Sequence, residues 1–287
     1  MRFLTFAKNG VIGLAAHSAD GWHGLLESEA GYPGPLESLL ARSAAELSGV
    51  VRRLRAGAAV DPDAVETLIP FVPRKIICVG LNYMDHASES SMKAPDYPTF
   101  FARFRSSLVA HSAPILRPHE SDRLDYEGEL VAVISKAGRR IERGLALDHV
   151  GGYSVFNDGS IRDFQLRTPQ WTFGKNFDGT GAFGPTYVTA DELPPGAAGL
   201  QLQTRLNGHV VQTASTSELI FDVAALVSMI SVGITLEPGD IIVTGTPSGV
   251  GAARKPPLFM KAGDECEVEI ERIGVLRNEI IDDVAVS

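Results

Sequence analysis

The stretch LDYEGELVAVIS, Leu124 to Ser135, sets Glu127 and Glu129 at the mouth of a run of β-branched and apolar residues. On an extended chain, residues two apart point the same way and sit about 6.6 Å apart, at about 3.3 Å rise per residue. Two such carboxylates repel each other and resist leaving water. Something positive belongs between them. One answer is a pair of arginines. Another is a hard divalent cation, which is held by carboxylate oxygens and keeps waters in its remaining positions. A third acid is then needed, and Asp158 in GGYSVFNDGS ends another strand-like run, although Asn-Asp-Gly by itself reads as a turn.

Other side chains suit the same chemistry. His86 and Glu89 in NYMDHASES are three apart, so one helical turn puts them on one face. A carboxylate beside an imidazole orients it and stabilises its cation, which makes a general base; a solvated turn reads the same way. Lys175 lies in the glycine- and aromatic-rich WTFGKNFDGTG and is able to neutralise a carboxylate or enolate oxygen. The loop GTPSGVG, Gly245 to Gly251, follows the strand-like DIIVT and offers backbone N–H groups and a threonine hydroxyl to an anion. It has neither the lysine of a P-loop nor the spacing of a dinucleotide fingerprint. Two close carboxylates also occur in retaining glycosidases, but neighbours on one strand cannot flank a sugar from opposite sides.

These groups need a scaffold. Residues 1–70 read as a small separate α+β unit. RFLTFA, VIGLAA and WHGLLE form strands punctuated by Asn9-Gly10 and Asp20-Gly21, and a helix through Leu36, Leu40, Leu47, Val50 and Leu54 closes at Gly57. DPDAVETLIPFVPRK is a proline-punctuated linker. From residue 71 to 287 strand-like runs dominate: KIICVGL, TFFARF, ELVAVI, GGYSVFND, GPTYVTA, LQLQTRLNG, DIIVTGT and CEVEIERIG. One helix interrupts them, STSELIFDVAALVSMIS, opening on a capping-box pattern at Ser215 and Glu218. The reading is a β-rich α+β protein, with too few helices for a doubly wound sheet.

The chain has 287 residues, is 44% hydrophobic and carries a formal net charge of −9. No basic stripe is present, so nucleic acid and anionic membranes are not expected partners. No apolar run approaches a membrane span, and MRFLTFAKNGVIGL lacks the pattern of a secretory signal. Cys78 and Cys266 are far apart and read as buried hydrophobes. A cytoplasmic, reduced protein is expected.

Taken together, GLNYMDHASE, DYEGELVAVI, FNDGSIRDFQ, QWTFGKNFDG, RLNGHVVQ, LEPGDIIVTGTPSGVG and GDECEVEIERIG resemble the fumarylacetoacetate hydrolase superfamily, over most of residues 70–285. The resemblance implies a rolled mixed β-sheet core preceded by a small N-terminal domain, and a homodimer. It implies Glu127, Glu129 and Asp158 as ligands for Mg²⁺, with Mn²⁺ or Ca²⁺ as substitutes. It implies His86 and Glu89 as the pair that activates water, and Lys175 as a lysine near metal and substrate oxygens. Gln165, Gly245 and Thr246 match substrate-facing positions, and Arg162-Asp163 matches a pair with no assigned role. Arg103 stands where several members have lysine, and its fork suits a carboxylate at the substrate's distal end. The implied activity is Mg²⁺-dependent hydrolysis of a carbon–carbon bond in a 2,4-dioxo acid, such as an acylpyruvate, through a pyruvate enolate. Decarboxylation of oxaloacetate-like acids and isomerisation or hydration of related 2-oxo acids are the alternatives on the same site.

Overall fold

The structure, a computed structural model, describes residues 1–84 and 96–283. Two larger mixed sheets dominate it. The twelve-stranded sheet runs Ala58–Ala59, Gly21–Leu26, Val11–Ser18, Arg2–Lys8, Gly181–Thr189, Val150–Asp158, Gly128–Ile134, Ile241–Val243, Ile76–Gly80, Thr99–Ala102, with two short strands branching from it. The five-stranded sheet runs His209–Ser215, Gln201–Leu206, Glu265–Ile270, Gly274–Asp282, Ile115–Arg117. Every strand-like run read from the sequence forms a strand, and Asn9-Gly10, both at positive φ, closes the first hairpin.

The strand Gly128–Ile134 is buried at every position, as its two-sided apolar pattern predicts. Its alternate side chains enter different cores. Leu130, Ala132 and Ile134 pack with Leu202, Val268 and Leu276 of the second sheet and with Leu226 and Ile230. Val131 and Val133 pack with Phe3, Leu14, Val50 and Leu54 from the N-terminal segment.

That second cluster packs residues 1–70 against the rest of the chain. Strand Arg2–Lys8 pairs with Gly181–Thr189, so the N-terminal strands extend the main sheet and share its core. The change in texture near residue 70 is therefore not a break between cores.

The sheet is rolled. Arg103, directly after the edge strand Thr99–Ala102, reaches Asp158 on a strand well inside the same sheet, and Leu108–Val109 pairs with Gly181–Thr189.

Both long helical patterns break in two. A 3₁₀ turn at Leu36–Ser38 precedes the α-helix Ala44–Arg55, which Ser43 and Glu46 cap reciprocally. The predicted helix over 215–231 becomes a 3₁₀ turn, Thr216–Glu218, and a helix, Val223–Ser231, restarted by Asp222. Asn82 enforces that break. Its side chain accepts from the Phe221 N–H at 2.8 Å and donates to the Phe221 carbonyl at 3.0 Å, while its own carbonyl accepts from Ile220. Among the described residues no helix is long and apolar enough to cross a membrane.

Because Phe3 belongs to the shared core, Phe3→Ala should cost about 3–5 kcal/mol. Thermal unfolding should remain a single transition at lower temperature. An early separate step would show that the N-terminal segment holds a core of its own.

Candidate metal centre

The acids gather where several strands end. Gly128–Ile134 begins beside the ends of Val150–Asp158 and Ile241–Val243, and the Asp158 N–H donates to the Glu127 carbonyl at 2.8 Å. Glu127 sits just before its strand, in the link that leaves the short strand Leu124–Asp125 for the main sheet. Carboxylate oxygens of Glu127, Glu129 and Asp158 lie within 4.8 Å of one another, and all three residues are buried.

Three cations surround them. Lys175, 1% exposed, donates from Nζ to Glu127 Oε2 at 2.7 Å and to Asp158 Oδ2 at 2.6 Å. Arg162 contacts Glu127 Oε1 from Nη1 at 2.6 Å and Asp125 Oδ2 from Nε at 2.8 Å. Arg103 bonds Asp158, the Gly159 carbonyl at 3.0 Å, Thr180 at 2.9 Å and Ser107 at 3.2 Å. Its side chain has no exposed surface, so the fork expected to face a substrate's distal carboxylate is instead occupied in orienting Asp158. A Cβ at position 181 would lie 2.6 Å from this guanidinium, so Gly181 is what admits it.

Glu129 differs from its neighbours. The Gly245 N–H donates to it, but among the described residues no lysine or arginine forms an ion pair with it. Burial, then the charges of Asp158 and Glu127, push its pKa well above the usual glutamate range. Burial alone would lower Lys175, but Asp158 and Glu127 outweigh it and hold its ammonium above the ordinary value. Among the described residues, four buried carboxylates, counting Asp125, thus face three cations. An all-oxygen donor set this close, with one carboxylate lacking an ion pair among the described residues, fits a hard divalent ion.

The anion loop is built into the same site. Gly245 is at φ +103, and a Cβ there would meet Asn82 at 2.7 Å; its N–H serves Glu129. Thr246 donates to the Gly128 carbonyl at 3.0 Å and accepts from Gln212 at 2.8 Å. Gln165 accepts from Arg162 at 2.9 Å. The second terminal nitrogen of Arg162 is buried without a partner among the described residues. His86 and Glu89 lie outside the described residues.

Sequence reasoning passed over two residues. Asp125 continues the alternation of acids, Asp-x-Glu-x-Glu, and that spacing was the available signal. Gln212, which also accepts from the Gly128 N–H at 3.0 Å, closes the stretch RLNGHVVQ, and its place there was the available signal.

The fumarylacetoacetate (FAA) hydrolase C-terminal family model matches residues 75–281. This chain belongs to the fumarylacetoacetate hydrolase family. A mitochondrial oxaloacetate tautomerase of Xenopus laevis is 44% identical over 211 residues, which are 73% of this chain and 66% of that protein, slightly under two thirds of its length. Its Homo sapiens counterpart is 40% identical over 253 residues, 87% of this chain and 80% of that one. Among solved structures, fumarylacetoacetate hydrolase from Exiguobacterium antarcticum is 35% identical with a TM-score of 0.82, covering 99% of this chain and 100% of that one. Maleylpyruvate hydrolase from Sphingobium sp. SYK-6 is 26% identical at TM-score 0.80, with the same coverage.

A carboxyl whose folded pKa is raised favours folding below its ordinary value near 4.5, and that contribution is lost as pH rises through the raised value. In chelator, the wild-type melting temperature should therefore drop relative to Glu129→Gln as pH increases, and added Mg²⁺ should restore it. A gap that stays constant between about pH 5 and 8 would show Glu129 to be unstrained. Arg103→Met leaves Asp158 buried without one of its cations and should cost about 3–5 kcal/mol in denaturant unfolding.

Proposed function

We propose that this chain is a divalent-metal-dependent enzyme of 2-oxo acid enol chemistry, and that its reaction is keto–enol tautomerisation of oxaloacetate or a close analogue. The observation that carries the reading is the buried Lys175 ammonium lodged between two of three clustered carboxylates. It stands where an oxygen gathering negative charge next to a metal would need a donor.

Glu127, Glu129 and Asp158 are the residues proposed to hold Mg²⁺, with Mn²⁺ or Ca²⁺ as substitutes, and the ion when bound supplies Lewis-acid stabilisation of an enolate. Lys175 Nζ donates to the enolate oxygen, and it stays protonated because its two carboxylate partners favour the cation. The Arg162 nitrogen that has no partner among the described residues is a further donor for a substrate oxygen. Gln165 offers its amide to the substrate carboxylate, and the loop of Gly245 and Thr246, pinned by Glu129, Gln212 and the Gly128 carbonyl, shapes the wall against which that carboxylate is oriented. His86, with Glu89 orienting its ring, takes the proton from the carbon beside the carbonyl and returns it to the oxygen, so the reaction has no net change in atoms. The oxaloacetate tautomerases at 40–44% identity support this substrate class.

Hydrolysis of a carbon–carbon bond in a 2,4-dioxo acid is the second reading. It uses the same enolate as leaving group, with water activated by His86. The His86/Glu89 spacing and the likeness to maleylpyruvate hydrolase favour it. The working form is proposed as a cytoplasmic homodimer, in keeping with two buried free thiols, Cys78 and Cys266, suited to a reducing compartment.

The deciding experiment follows oxaloacetate enol decay by ultraviolet absorbance, pyruvate release, and acylpyruvate cleavage, each with Mg²⁺ and with EDTA. Enol–keto exchange should be accelerated, should fall by at least about 100-fold without metal, and should be lost in His86→Ala. Turnover that survives EDTA undiminished sinks the metal reading. Cleavage without accelerated exchange selects the hydrolase.

A further inference from the structure

Asp125 is fully buried and takes no part in the chemistry above, yet its carboxylate accepts four hydrogen bonds. Oδ1 accepts from the Tyr126 N–H at 2.9 Å and the Gly251 N–H at 2.7 Å. Oδ2 accepts from the Ala252 N–H at 2.9 Å and Arg162 Nε at 2.8 Å. Residue 251 must be glycine for this, because a Cβ there would lie 2.6 Å from Oδ1 and 1.8 Å from the Leu258 carbonyl.

Two elements of the site therefore end on one side chain. Gly251 and Ala252 stand at the far end of the loop that carries Gly245 and Thr246. Arg162, held through Nε, reaches Glu127 with Nη1 and Gln165 with the same nitrogen. A guanidinium fork presents paired nitrogens, and a free one closes on a carboxylate with two parallel bonds. With Nε bound to Asp125, Arg162 meets Glu127 through a single nitrogen at Oε1, while Oε2 meets Lys175, which also holds Asp158.

We infer that Asp125 is a positioning residue: it restrains Arg162 so that Glu127 keeps its carboxylate turned toward Glu129 and Asp158, and it ties that geometry to the anion loop. The inference rests on the metal-centre reading of the three acids. Partners behind a metal ligand typically govern affinity by about 10–100-fold. Released from Asp125, Arg162 would compete with a cation for Glu127.

The test is Mn²⁺ titration of the full chain by calorimetry, with circular dichroism as a check of folding. Asp125→Asn keeps the shape but places an amide among four donors. Its Mn²⁺ affinity should fall by about 10–100-fold, and KM should rise more than kcat falls. Arg162→Lys retains the charge, loses the fork, and should weaken Mn²⁺ in the same direction. A folded Asp125→Asn protein with wild-type Mn²⁺ affinity, even at a lower melting temperature, overturns the inference and leaves Asp125 a purely structural acid. If Asp125→Asn does not fold, wild-type affinity in Arg162→Lys overturns it. A wild-type chain that binds no Mn²⁺ is a different result, and removes the metal reading itself.

Discussion

Mutual repulsion among buried carboxylates governs this molecule. Asp125, Glu127 and Glu129 alternate along one segment, and Asp158 is brought beside them by strand pairing. Ionised groups of one sign out of water are tolerated only when paired. Arg162 separates Asp125 from Glu127, Lys175 separates Glu127 from Asp158, and Arg103 backs Asp158. Glu129 has a backbone amide and no cation of its own among the described residues. The same imbalance that raises its pKa makes the cluster a good host for a divalent ion.

Building such a cluster requires the fold to spend sheet geometry on charge placement. The rolled sheet lets the residue after an edge strand reach a central one, so Arg103 and Asp158 meet. The two faces of Gly128–Ile134 are both sealed, one by the second sheet and one by the N-terminal segment. Water is thereby kept from the strand beneath the acids, which strengthens every charge contact above it. The N-terminal segment thus serves the site through packing, without supplying any of its polar groups described above.

Glycines mark the places where backbones and charges come closest. Gly181 makes room for Arg103, Gly251 for Asp125, and Gly245 turns its amide to Glu129. Thr246, expected to grip a ligand, is itself gripped by Gln212 and the Gly128 carbonyl. The loop is thereby tied by hydrogen bonds to the strand that carries Glu129 and to Gln212.

Alternation of side chains at period two was enough to place the strands and to pair Glu127 with Glu129, because that periodicity is local. The capping boxes at Ser43 and Ser215 are local too, and the latter was readable in advance. The family resemblance named the acids and Lys175 as one group; spacing alone favoured a site over arginine pairs and did not name its members. Contacts between residues far apart in the chain were out of reach. The split of the helix over 215–231 depends on Asn82, the continuity of residues 1–70 with the main sheet depends on pairing with Gly181–Thr189, and the true partner of Arg103 lies 55 residues away. Local pattern encodes which face a side chain takes. Only the closed sheet decides which opposite charge meets it there, since that choice is made by packing between distant strands.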